Sequence, residues 1–576
     1  MEFIQKKTAD SVVEPFLPKA ADEQVSLVWD RYEGQLPECG FCETGLSCRD
    51  CLQGPCISHP FRESNKLGVC GKDKDILASQ SLLRLVLKGT MASLDQVSEF
   101  ASGVESGEIT PKNKAQADKT IKGIRRLLSD GDGDGRKELP KALIESWEAA
   151  GIHPEGIARD LFKASQKLEG GIAGVEEVLL WAFKASLLGC LAQRLQGRLK
   201  RSVFGETVPT QLEVNLGVLR KETANILLYG RFSPILKRKI AEAASKKKIA
   251  VLGVCTDPLL PPYTFPPVTS YGSQEIPLMT GAVDLIVAGD QFVNPSLVKL
   301  SREWQTVVVS AEALKGGQDL SRFARQIVDK AGQAFDLRRR IPRGVPEAKE
   351  HAVLGFSAET VGVEKIVEAM TKGKIKGIAI FSGSNNVKFT QDRETVSMAT
   401  ELLKNDVLCI SEGEASVSLA KYGLLNPVQQ GQLCGKGLLD LLTSLGKKYP
   451  PVLDFGSSEN GGVTEFLLAI ASVGKHALKD CPIVACFPEA NRSTEVAEAL
   501  WTVAMGVSTY FWPCLPVAGS PKTMEALTQG CMEKFGATLH VSTEKRLSPE
   551  AKASMILREL SGEVNPLLHD HRWGQA

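Results

Sequence analysis

The chain has 576 residues, a formal net charge of +1, 43% hydrophobic residues and 24% charged residues. This length is too great for one compact core, so we expect about three domains. The composition is that of a soluble globular protein, and the sequence has no basic block to support nucleic-acid binding. The N-terminal residues lack the apolar core of a signal peptide, and no apolar run is long enough to span a bilayer. We therefore expect a cytoplasmic protein that does not bind membranes.

Residues 1–210 have a mainly helical pattern. Apolar residues recur at helical spacing in DILASQSLLRLVLKGT and in VEEVLLWAFKASLLGCLAQRLQ. Between these runs, the segment that starts at Asp130 opens like a calcium-binding loop. Its twelfth position is Lys141, where such a loop needs a bidentate glutamate. We therefore interpret the segment as a solvated turn between helices.

From residue 211 the sequence changes to short β-branched runs, each followed by a turn and an amphipathic helix. One series comprises ANILLYG, KIAVLGV, AVDLIVAG and QTVVVS, and a second comprises IKGIAIFSG, DVLCIS, PPVLDFG and CPIVACF. This alternation predicts doubly wound parallel sheets, which bind ligands beyond the carboxyl ends of their strands. The predicted organisation is a helical domain at 1–210 and Rossmann-like domains at 211–350 and 351–576.

Six of the fourteen cysteines lie between residues 39 and 70. In a reducing cytoplasm, cysteines at this density indicate metal binding more than disulfide bonds. Four of them have the spacing C-x2-C-x4-C-x13-C, which suits the ligands of a [4Fe–4S] cluster and also those of structural zinc. These four are Cys48, Cys51, Cys56 and Cys70.

Cys39 and Cys42 form a further pair just before this group. Two thiolates cannot complete a metal site alone. A twofold axis would bring the same pair from a second copy of the chain and supply four ligands to one shared cluster. A redox-active dithiol is the alternative interpretation. The concentration of six cysteines in one loop favours the shared cluster.

The cysteine segment ECGFCETGLSCRDCLQGPCISHPFRESNKLGVCG closely resembles the N-terminal cluster loop of the nickel–iron carbon monoxide dehydrogenases, which are related to the hybrid-cluster proteins. The resemblance continues through LEVNLGVL, TGAVDLIV, SGSNNVKFTQD, KYGLLNP, LCGKGL, PPVLDFGS and LPVAGS, and covers nearly the whole chain. It implies an anaerobic homodimer with a helical domain and two Rossmann-like domains. It also implies a [4Fe–4S] relay cluster on the four-cysteine group and an intersubunit cluster on Cys39 and Cys42. The two-residue spacing of that pair resembles members whose bridging cluster is [2Fe–2S].

The ligands of that family's active-site nickel–iron–sulfur cluster do not carry over. The family holds this cluster with one histidine and five cysteines, and it uses a catalytic lysine. Cys255 resembles the retained first member of an adjacent cysteine pair. The positions that match the ligands and the lysine hold Arg231, Thr256, Phe292, Ser384, Glu414, Ser458 and Thr494. The family's proton-moving histidine ladder falls on Ser93, Gln96, Glu99 and Ser102.

These replacements change the coordination chemistry of the pocket. An iron–sulfur–nickel centre needs soft thiolates, which serine, threonine and phenylalanine do not supply. Arg231 would repel a cationic metal, and Phe292 would fill part of the cavity. We therefore expect no nickel–iron cluster. We also hypothesise that Arg231 pairs with Glu414 across the pocket, because each buried charge needs a partner.

Three functions are compatible with this pattern. The preferred one is an iron–sulfur redox protein, acting in electron transfer or as a scaffold without CO oxidation, together with a ferredoxin-like or larger redox partner. One alternative is a working anaerobic carbon monoxide dehydrogenase, which converts CO and water to CO2 with an electron acceptor.

The other alternative is an oxidoreductase with a repurposed pocket. The pocket would grip an oxygen-rich substrate through Ser384, Asn385, Asn386, Lys388, Glu414, Ser458 and Glu459. Alternatively it would hold a relocated iron–sulfur–oxygen cluster of the hybrid type. The candidate thiols for that cluster are Cys255, Cys409, Cys434, Cys481, Cys486 and Cys514. Lone cysteines on apolar strands are, however, usually small buried hydrophobic residues.

Overall fold

The computed structural model describes residues 6–59, 66–129, 139–169, 171–313, 319–339, 341–542, 544 and 547–562. The segment that opens like a calcium loop, at 130–135, lies outside the described residues, and part of the cysteine loop, at 60–65, does too.

The N-terminal part is helical, and its longest helices, α4 and α8, pack against each other. Asp73 caps the first of them by accepting hydrogen bonds from the backbone N–H groups of Asp75 and Ile76. The cysteine loop adds a short antiparallel pair of strands, β1 (Ser47–Cys48) and β2 (Cys56–Ile57). The helices are α1 (Phe16–Asp22), α2 (Val28–Glu33), α3 (Gly40–Glu43), α4 (Lys74–Glu105), α5 (Lys114–Leu128), α6 (Lys141–Ala149), α7 (Ile157–Glu169) and α8 (Val175–Phe204).

A five-stranded parallel sheet follows, with strand order β10-β9-β4-β5-β8. The strands of this part are β3 (Thr210–Val214), β4 (Asn225–Tyr229), β5 (Ala250–Val254), β6 (Leu259–Leu260), β7 (Tyr263–Thr264), β8 (Pro267–Thr269), β9 (Leu285–Ala288), β10 (Val307–Ser310) and β11 (Glu350–Leu354). Its helices are α9 (Pro234–Ser245), α10 (Ile276–Met279), α11 (Ser296–Glu303) and α12 (Leu320–Leu337).

The C-terminal part contains a six-stranded parallel sheet with strand order β14-β13-β12-β15-β16-β17. Its strands are β12 (Gly377–Phe381), β13 (Val407–Ser411), β14 (Val452–Asp454), β15 (Ile483–Phe487), β16 (Ser508–Phe511) and β17 (Leu539–Val541). Its helices are α13 (Val363–Thr371), α14 (Arg393–Lys404), α15 (Gly413–Lys421), α16 (Gln430–Leu433), α17 (Lys436–Leu445), α18 (Gly462–Gly474), α19 (Ser493–Ala504), α20 (Pro521–Leu527), α21 (Gln529–Phe535) and α22 (Pro549–Leu560).

Strand β4 shows why these sheets form. Its side chains alternate between two faces, so Ile226 and Leu228 join the main apolar core, while Leu227 and Tyr229 join a smaller second core. Both faces are buried, as expected for a parallel strand covered by helices on each side. The predicted fold class, a helical part followed by two doubly wound parallel sheets, is therefore confirmed.

The strands of both sheets are parallel, and the order in which successive strands are added reverses beside β4 in the first sheet and beside β12 in the second. Ligands of open parallel sheets bind at such switch points, beyond the carboxyl ends of the strands. Among the described residues, no helix is long and apolar enough to cross a membrane.

Candidate functional site

The residues predicted for the former active-site pocket lie just after the carboxyl ends of parallel strands. Arg231 follows β4, Cys255 and Thr256 follow β5, and Phe292 follows β9. In the second sheet, Ser384 follows β12 and Ser458 follows β14. Glu414 lies in the first turn of α15, after β13, and Thr494 lies in the first turn of α19, after β15. Turns from both sheets thus contribute side chains to one region.

These turns enclose a cavity of about 30 Å³, with room for about two water molecules. The cavity is lined by six of the eight predicted pocket residues, namely Arg231, Cys255, Thr256, Glu414, Ser458 and Thr494. Phe292 and Ser384 contact other residues that line it, as described below.

Arg231 is 5% exposed and forms an ion pair with Glu459. Burial lowers the pKa of Arg231, and the carboxylate of Glu459 opposes that shift. The hypothesis that Arg231 pairs with Glu414 is therefore wrong. Both glutamates follow neighbouring strands of the second sheet, and the side chain that reaches the guanidinium is the one after β14.

Glu414 instead lies against Cys255. The thiol donates a hydrogen bond to the Glu414 carboxylate, with an Sγ–Oε2 distance of 3.3 Å, and Gln274 donates to the same sulfur over 3.2 Å. Burial raises the pKa of the Cys255 thiol, and the nearby Glu414 carboxylate raises it further. Both effects favour the neutral thiol of Cys255, which donates to Glu414. Burial also raises the pKa of Glu414.

A second guanidinium, that of Arg492, was missed in the sequence. It stacks on the Phe292 ring at 3.8 Å and lies 4.9 Å from the Tyr271 ring, while Arg231 lies 4.4 Å from Phe292. Phe292 is thus shared by two cations, an arrangement that partly compensates their burial. Burial opposes the charge of Arg492, but the acidic groups around it, Cys255 among them, hold its pKa above the usual value.

Two residues in these turns have an unusual backbone conformation. Cys255 has φ +55° and Phe292 has φ +64°, both in the left-handed region that side-chain-bearing residues seldom adopt. Such strained positions cluster at functional sites.

The other polar residues proposed for the pocket have partners within the protein. Ser384 donates to the Glu495 carboxylate over 2.8 Å, Asn385 donates to Glu489 over 3.0 Å, and Asn386 donates to a backbone carbonyl. Lys388 pairs with Glu38 at 2.8 Å, beside the cysteine loop. These four residues hold the turns in place, and none of them lines the cavity.

Buried lysines fix the turn that follows β5. Lys200 pairs with Asp257, and Lys237 donates to the Thr256 hydroxyl over 3.1 Å. Burial lowers the pKa of Lys237 to about 8.

The positions that match the family's histidine ladder all lie on α4, where Gln96 accepts a hydrogen bond from Arg231 over 3.5 Å. The other three positions are Ser93, Glu99 and Ser102.

The cysteine loop has features that suit a cluster. Cys48 and Cys56 are cross-strand partners, and the backbone N–H of Val69, next to Cys70, donates to the Cys56 sulfur over 3.5 Å. A Cβ at Gly54 would press on backbone atoms of Cys48, Cys51 and Cys56 at 3.3–3.4 Å. The backbone therefore wraps closely around the glycine.

Cys39 and Cys42 are both exposed. Cys39 precedes α3, and the backbone N–H of Cys42 lowers the pKa of the Cys39 thiol. A lowered pKa favours the thiolate, the form that binds metals.

Within the described part of the chain, no three His, Cys, Asp or Glu side chains stand close enough to hold a single metal ion. The ligands of an iron–sulfur cluster each bind a different iron, so they are spread more widely than the ligands of one ion.

Two of the candidate thiols for a relocated cluster, Cys409 and Cys486, are buried in β13 and β15, and burial raises the pKa of both.

The donor sets of the two regions differ in their fit to metal clusters. The loop offers four thiols on a tightly turned backbone, which fits a [4Fe–4S] cluster. Cys255 is the single thiol among the described residues that line the cavity, and Arg231 and Arg492 place two cations there. Because a nickel–iron–sulfur cluster needs several thiolates, this donor set does not fit one.

Comparison with known proteins assigns the chain to a family. The sequence model of the Prismane/CO dehydrogenase family matches residues 46–127 and 134–545, so the chain belongs to that family. Carbon monoxide dehydrogenase 1 of Methanosarcina acetivorans is 29% identical, with 98% of each chain covered. The resemblance inferred from the sequence is thereby confirmed.

Two solved structures have the same fold as this chain. Carbon monoxide dehydrogenase IV from Carboxydothermus hydrogenoformans has a TM-score of 0.89 at 29% identity, covering 98% of this chain and 100% of that one. An as-isolated, Ni-free carbon monoxide dehydrogenase from Thermococcus sp. AM4 has a TM-score of 0.89 at 27% identity and 96% coverage of both chains.

Proposed function

We propose that the protein is an iron–sulfur redox protein on the carbon monoxide dehydrogenase scaffold and that it does not oxidise CO. One observation carries this proposal. The cavity where the strand ends converge contains two guanidinium groups and the Arg231–Glu459 ion pair, with Cys255 as the single thiol among its described lining residues. Cationic side chains in this position disfavour a metal centre.

The cysteine loop supports the redox role. We infer that Cys48, Cys51, Cys56 and Cys70 hold a [4Fe–4S] cluster that transfers electrons. The exposure of Cys39 and Cys42 is compatible with a [2Fe–2S] cluster that a second copy of the chain completes, which makes the protein a homodimer. Its partner is a ferredoxin-like protein or a larger redox complex in an anaerobic cytoplasm.

Carbon monoxide dehydrogenase activity is the second candidate, and the comparisons favour it more than the first. The relative from Methanosarcina acetivorans and both solved structures are themselves named carbon monoxide dehydrogenases. Fold similarity alone does not establish an activity, because function depends on the side chains of the site. Support for the first candidate therefore rests on the side chains of this cavity.

The repurposed-pocket alternative has less support. A cavity of about 30 Å³ has room for little more than water, and its polar neighbours Ser384, Asn385 and Asn386 already have hydrogen-bond partners.

Metal analysis of anaerobically purified protein tests the proposal. We expect about five iron atoms per chain, four from the loop and one from half of a shared [2Fe–2S] cluster, with little nickel. Viologen dyes should not be reduced in the presence of CO. Cys48→Ser should lose most of the loop iron, whereas Cys481→Ser, a half-buried cysteine outside the loop, should keep all of it.

Two results would contradict the proposal. Stoichiometric nickel together with CO-dependent viologen reduction would establish the second candidate. Iron clearly above five atoms per chain without nickel would show a third cluster and favour the hybrid-type alternative.

A further inference from the structure

A separate cleft of about 710 Å³ lies between helix α6 of the N-terminal part and the C-terminal part, outside the site described above. It is bounded by the start of α6, the end of α18 with the turn after it, and the end of α21. Its volume is within the range of small-molecule sites, about 300–1,000 Å³.

The rim of this cleft is strongly basic. Lys141, Lys475, Lys479 and Lys534 line it together with His476, and none of the described lining residues is acidic. Lys141 also lies 3.3 Å from Glu145, as an exposed i,i+4 pair. Four ammonium groups around one opening create a local positive potential in a protein whose overall charge is nearly zero.

The floor of the cleft is apolar. Leu468, Met505 and Phe535 contribute to it, and Phe535 and Met505 are nearly fully buried. A ligand that satisfies both regions must combine an apolar or planar body with several negative charges.

Two glycines shape the cleft around Lys479. A Cβ at Gly506 would meet the Lys479 backbone nitrogen at 3.0 Å, and a Cβ at Gly536 would meet Lys479 Cδ at 2.8 Å. Both glycines have positive φ, +91° and +67°. The stem of this lysine therefore lies in a slot that larger residues would close.

Lys475 adds a second unusual feature. It ends α18 in the left-handed conformation, with φ +56° and ψ +32°, where glycine or asparagine is preferred. In addition, α6 begins at the cleft, and its N-cap residue Pro140 provides no side-chain acceptor for the first N–H groups of the helix.

We propose that this cleft binds a nucleoside polyphosphate, with the phosphates at the lysine rim and the base on the apolar floor. Lysine ammonium groups bind phosphate as point charges. Four of them match a ligand with several phosphate charges better than a single carboxylate. The apolar floor distinguishes this site from one for inorganic phosphate. The inference does not depend on the redox function, because none of the cluster or cavity residues contributes to it.

Fluorescence anisotropy of N-methylanthraniloyl-ATP on the full-length protein tests the proposal. We expect saturable binding that ATP displaces, that pyrophosphate displaces less well and that adenosine does not displace. Lys479→Gln and Lys534→Gln should each weaken binding about tenfold, because each removes one charge-assisted contact to phosphate. Lys447→Gln, an exposed lysine outside the cleft, is the matched control and should bind like the unmodified protein.

Three outcomes would overturn the proposal. The first is the absence of saturable binding. The second is an equal loss of affinity in the Lys447→Gln control, which would indicate general attraction to a charged surface. The third is displacement by polyglutamate as efficient as that by ATP, which would indicate a docking surface for an acidic protein. Iron content of every variant should be unchanged, which separates this test from that of the redox function.

Discussion

At the scale of single residues, two arginines determine the chemistry of the cavity. Arg231 and Arg492 share the ring of Phe292 and are surrounded by carboxyl groups. A buried guanidinium stays protonated, so each arginine requires a carboxylate or an aromatic face nearby. The side chains around the cavity are therefore arranged about two guanidinium groups.

The Arg231–Glu459 ion pair gives the first prediction. Arg231→Met should lower the free energy of unfolding by about 3 kcal/mol, because it leaves the largely buried Glu459 carboxylate without its cation. Adding Glu459→Gln should restore most of this loss, since neither charge is then left unpaired. Urea denaturation followed by circular dichroism measures both variants.

An exposed pair serves as the control for this prediction. Lys372 and Glu368 form an i,i+4 pair in which both side chains are about 60% exposed. Lys372→Met should cost less than about 1 kcal/mol. If Arg231→Met costs no more than this control, the pair in the cavity does not have the role assigned to it.

Lys237 gives a prediction about pH. Its pKa is lowered to about 8 in the folded protein from an ordinary value of 10.5, chiefly by burial. Between pH 8 and 10.5 the unfolded chain therefore binds more protons at this residue than the folded one. Its contribution to the free energy of unfolding should rise with pH in this window, by about 1.4 kcal/mol per pH unit at most.

Lys237→Met should abolish this contribution. The difference in unfolding free energy between the unmodified protein and Lys237→Met should change by a few kcal/mol from pH 8 to pH 10.5. Lys247→Met, at a lysine that is 55% exposed, provides the comparison and should show a nearly constant difference. Similar pH profiles for the two variants would refute the assignment.

The sequence indicated which residues follow the strand ends but not the contacts between their side chains. The positions of Arg231, Cys255 and Glu414 follow from strand ends, because parallel strands deliver their next residues to one edge. The partner of Arg231 could not be predicted, since Glu414 and Glu459 reach the same edge from adjacent strands. Arg492 was missed because nothing in its local sequence distinguishes it from a surface arginine.

At the scale of elements, glycines let the long helices approach the turns that form the cavity. A Cβ at Gly89 in α4 would lie 2.2 Å from the carbonyl oxygen of Ser493, next to Thr494. A Cβ at Gly197 in α8 would lie 2.0 Å from the carbonyl oxygen of Asn460. The helical part thus contacts the backbone of the turns directly.

Gly89→Ala should therefore destabilise the protein by about 1–3 kcal/mol, because the helix must move away from the Ser493 backbone. This sign is opposite to helix propensity, which favours alanine over glycine by about 1 kcal/mol. Gly332→Ala in α12 is the control, because the nearest atom to its Cβ is a flexible Ile249 methyl at 4.0 Å. It should leave stability unchanged or raise it. A stabilising Gly89→Ala, measured by thermal unfolding, would show that the close approach is absent.

Strands within longer apolar runs were predictable, and short strands outside such runs were not. The runs ANILLYG and KIAVLGV became β4 (Asn225–Tyr229) and β5 (Ala250–Val254), because continuous apolar runs are typical of strands buried on both faces. The three-residue strands β8 and β17 escaped notice, since runs of this length have no detectable period. The antiparallel pairing of β3 with β11 was also missed, because it joins residues more than 130 positions apart.

At the scale of the whole molecule, one buried lysine connects distant parts of the chain. Lys421, at the end of α15, is fully buried and lies 2.9 Å from Asp10 and 2.6 Å from Asp392. It also donates to the Ser270 hydroxyl over 3.0 Å. The N-terminal segment, the part with the first sheet and the part with the second sheet therefore meet at one ammonium group. The domain boundaries near 210 and 350 stay predictions, but these contacts indicate that the parts unfold together.

Replacing this lysine should uncouple those parts. Lys421→Met leaves Asp10 and Asp392 buried without a cation, at a cost of about 3–5 kcal/mol that falls on the contacts between the parts. We expect differential scanning calorimetry to resolve the unfolding of this variant into at least two transitions. Lys552→Met is the matched control, because Lys552 is equally buried and its 2.6 Å partner Glu394 belongs to the same part of the protein. That variant should lower the melting temperature without separating the transitions. A single transition for Lys421→Met, shifted no further than that of Lys552→Met, would mean that other contacts couple the three parts.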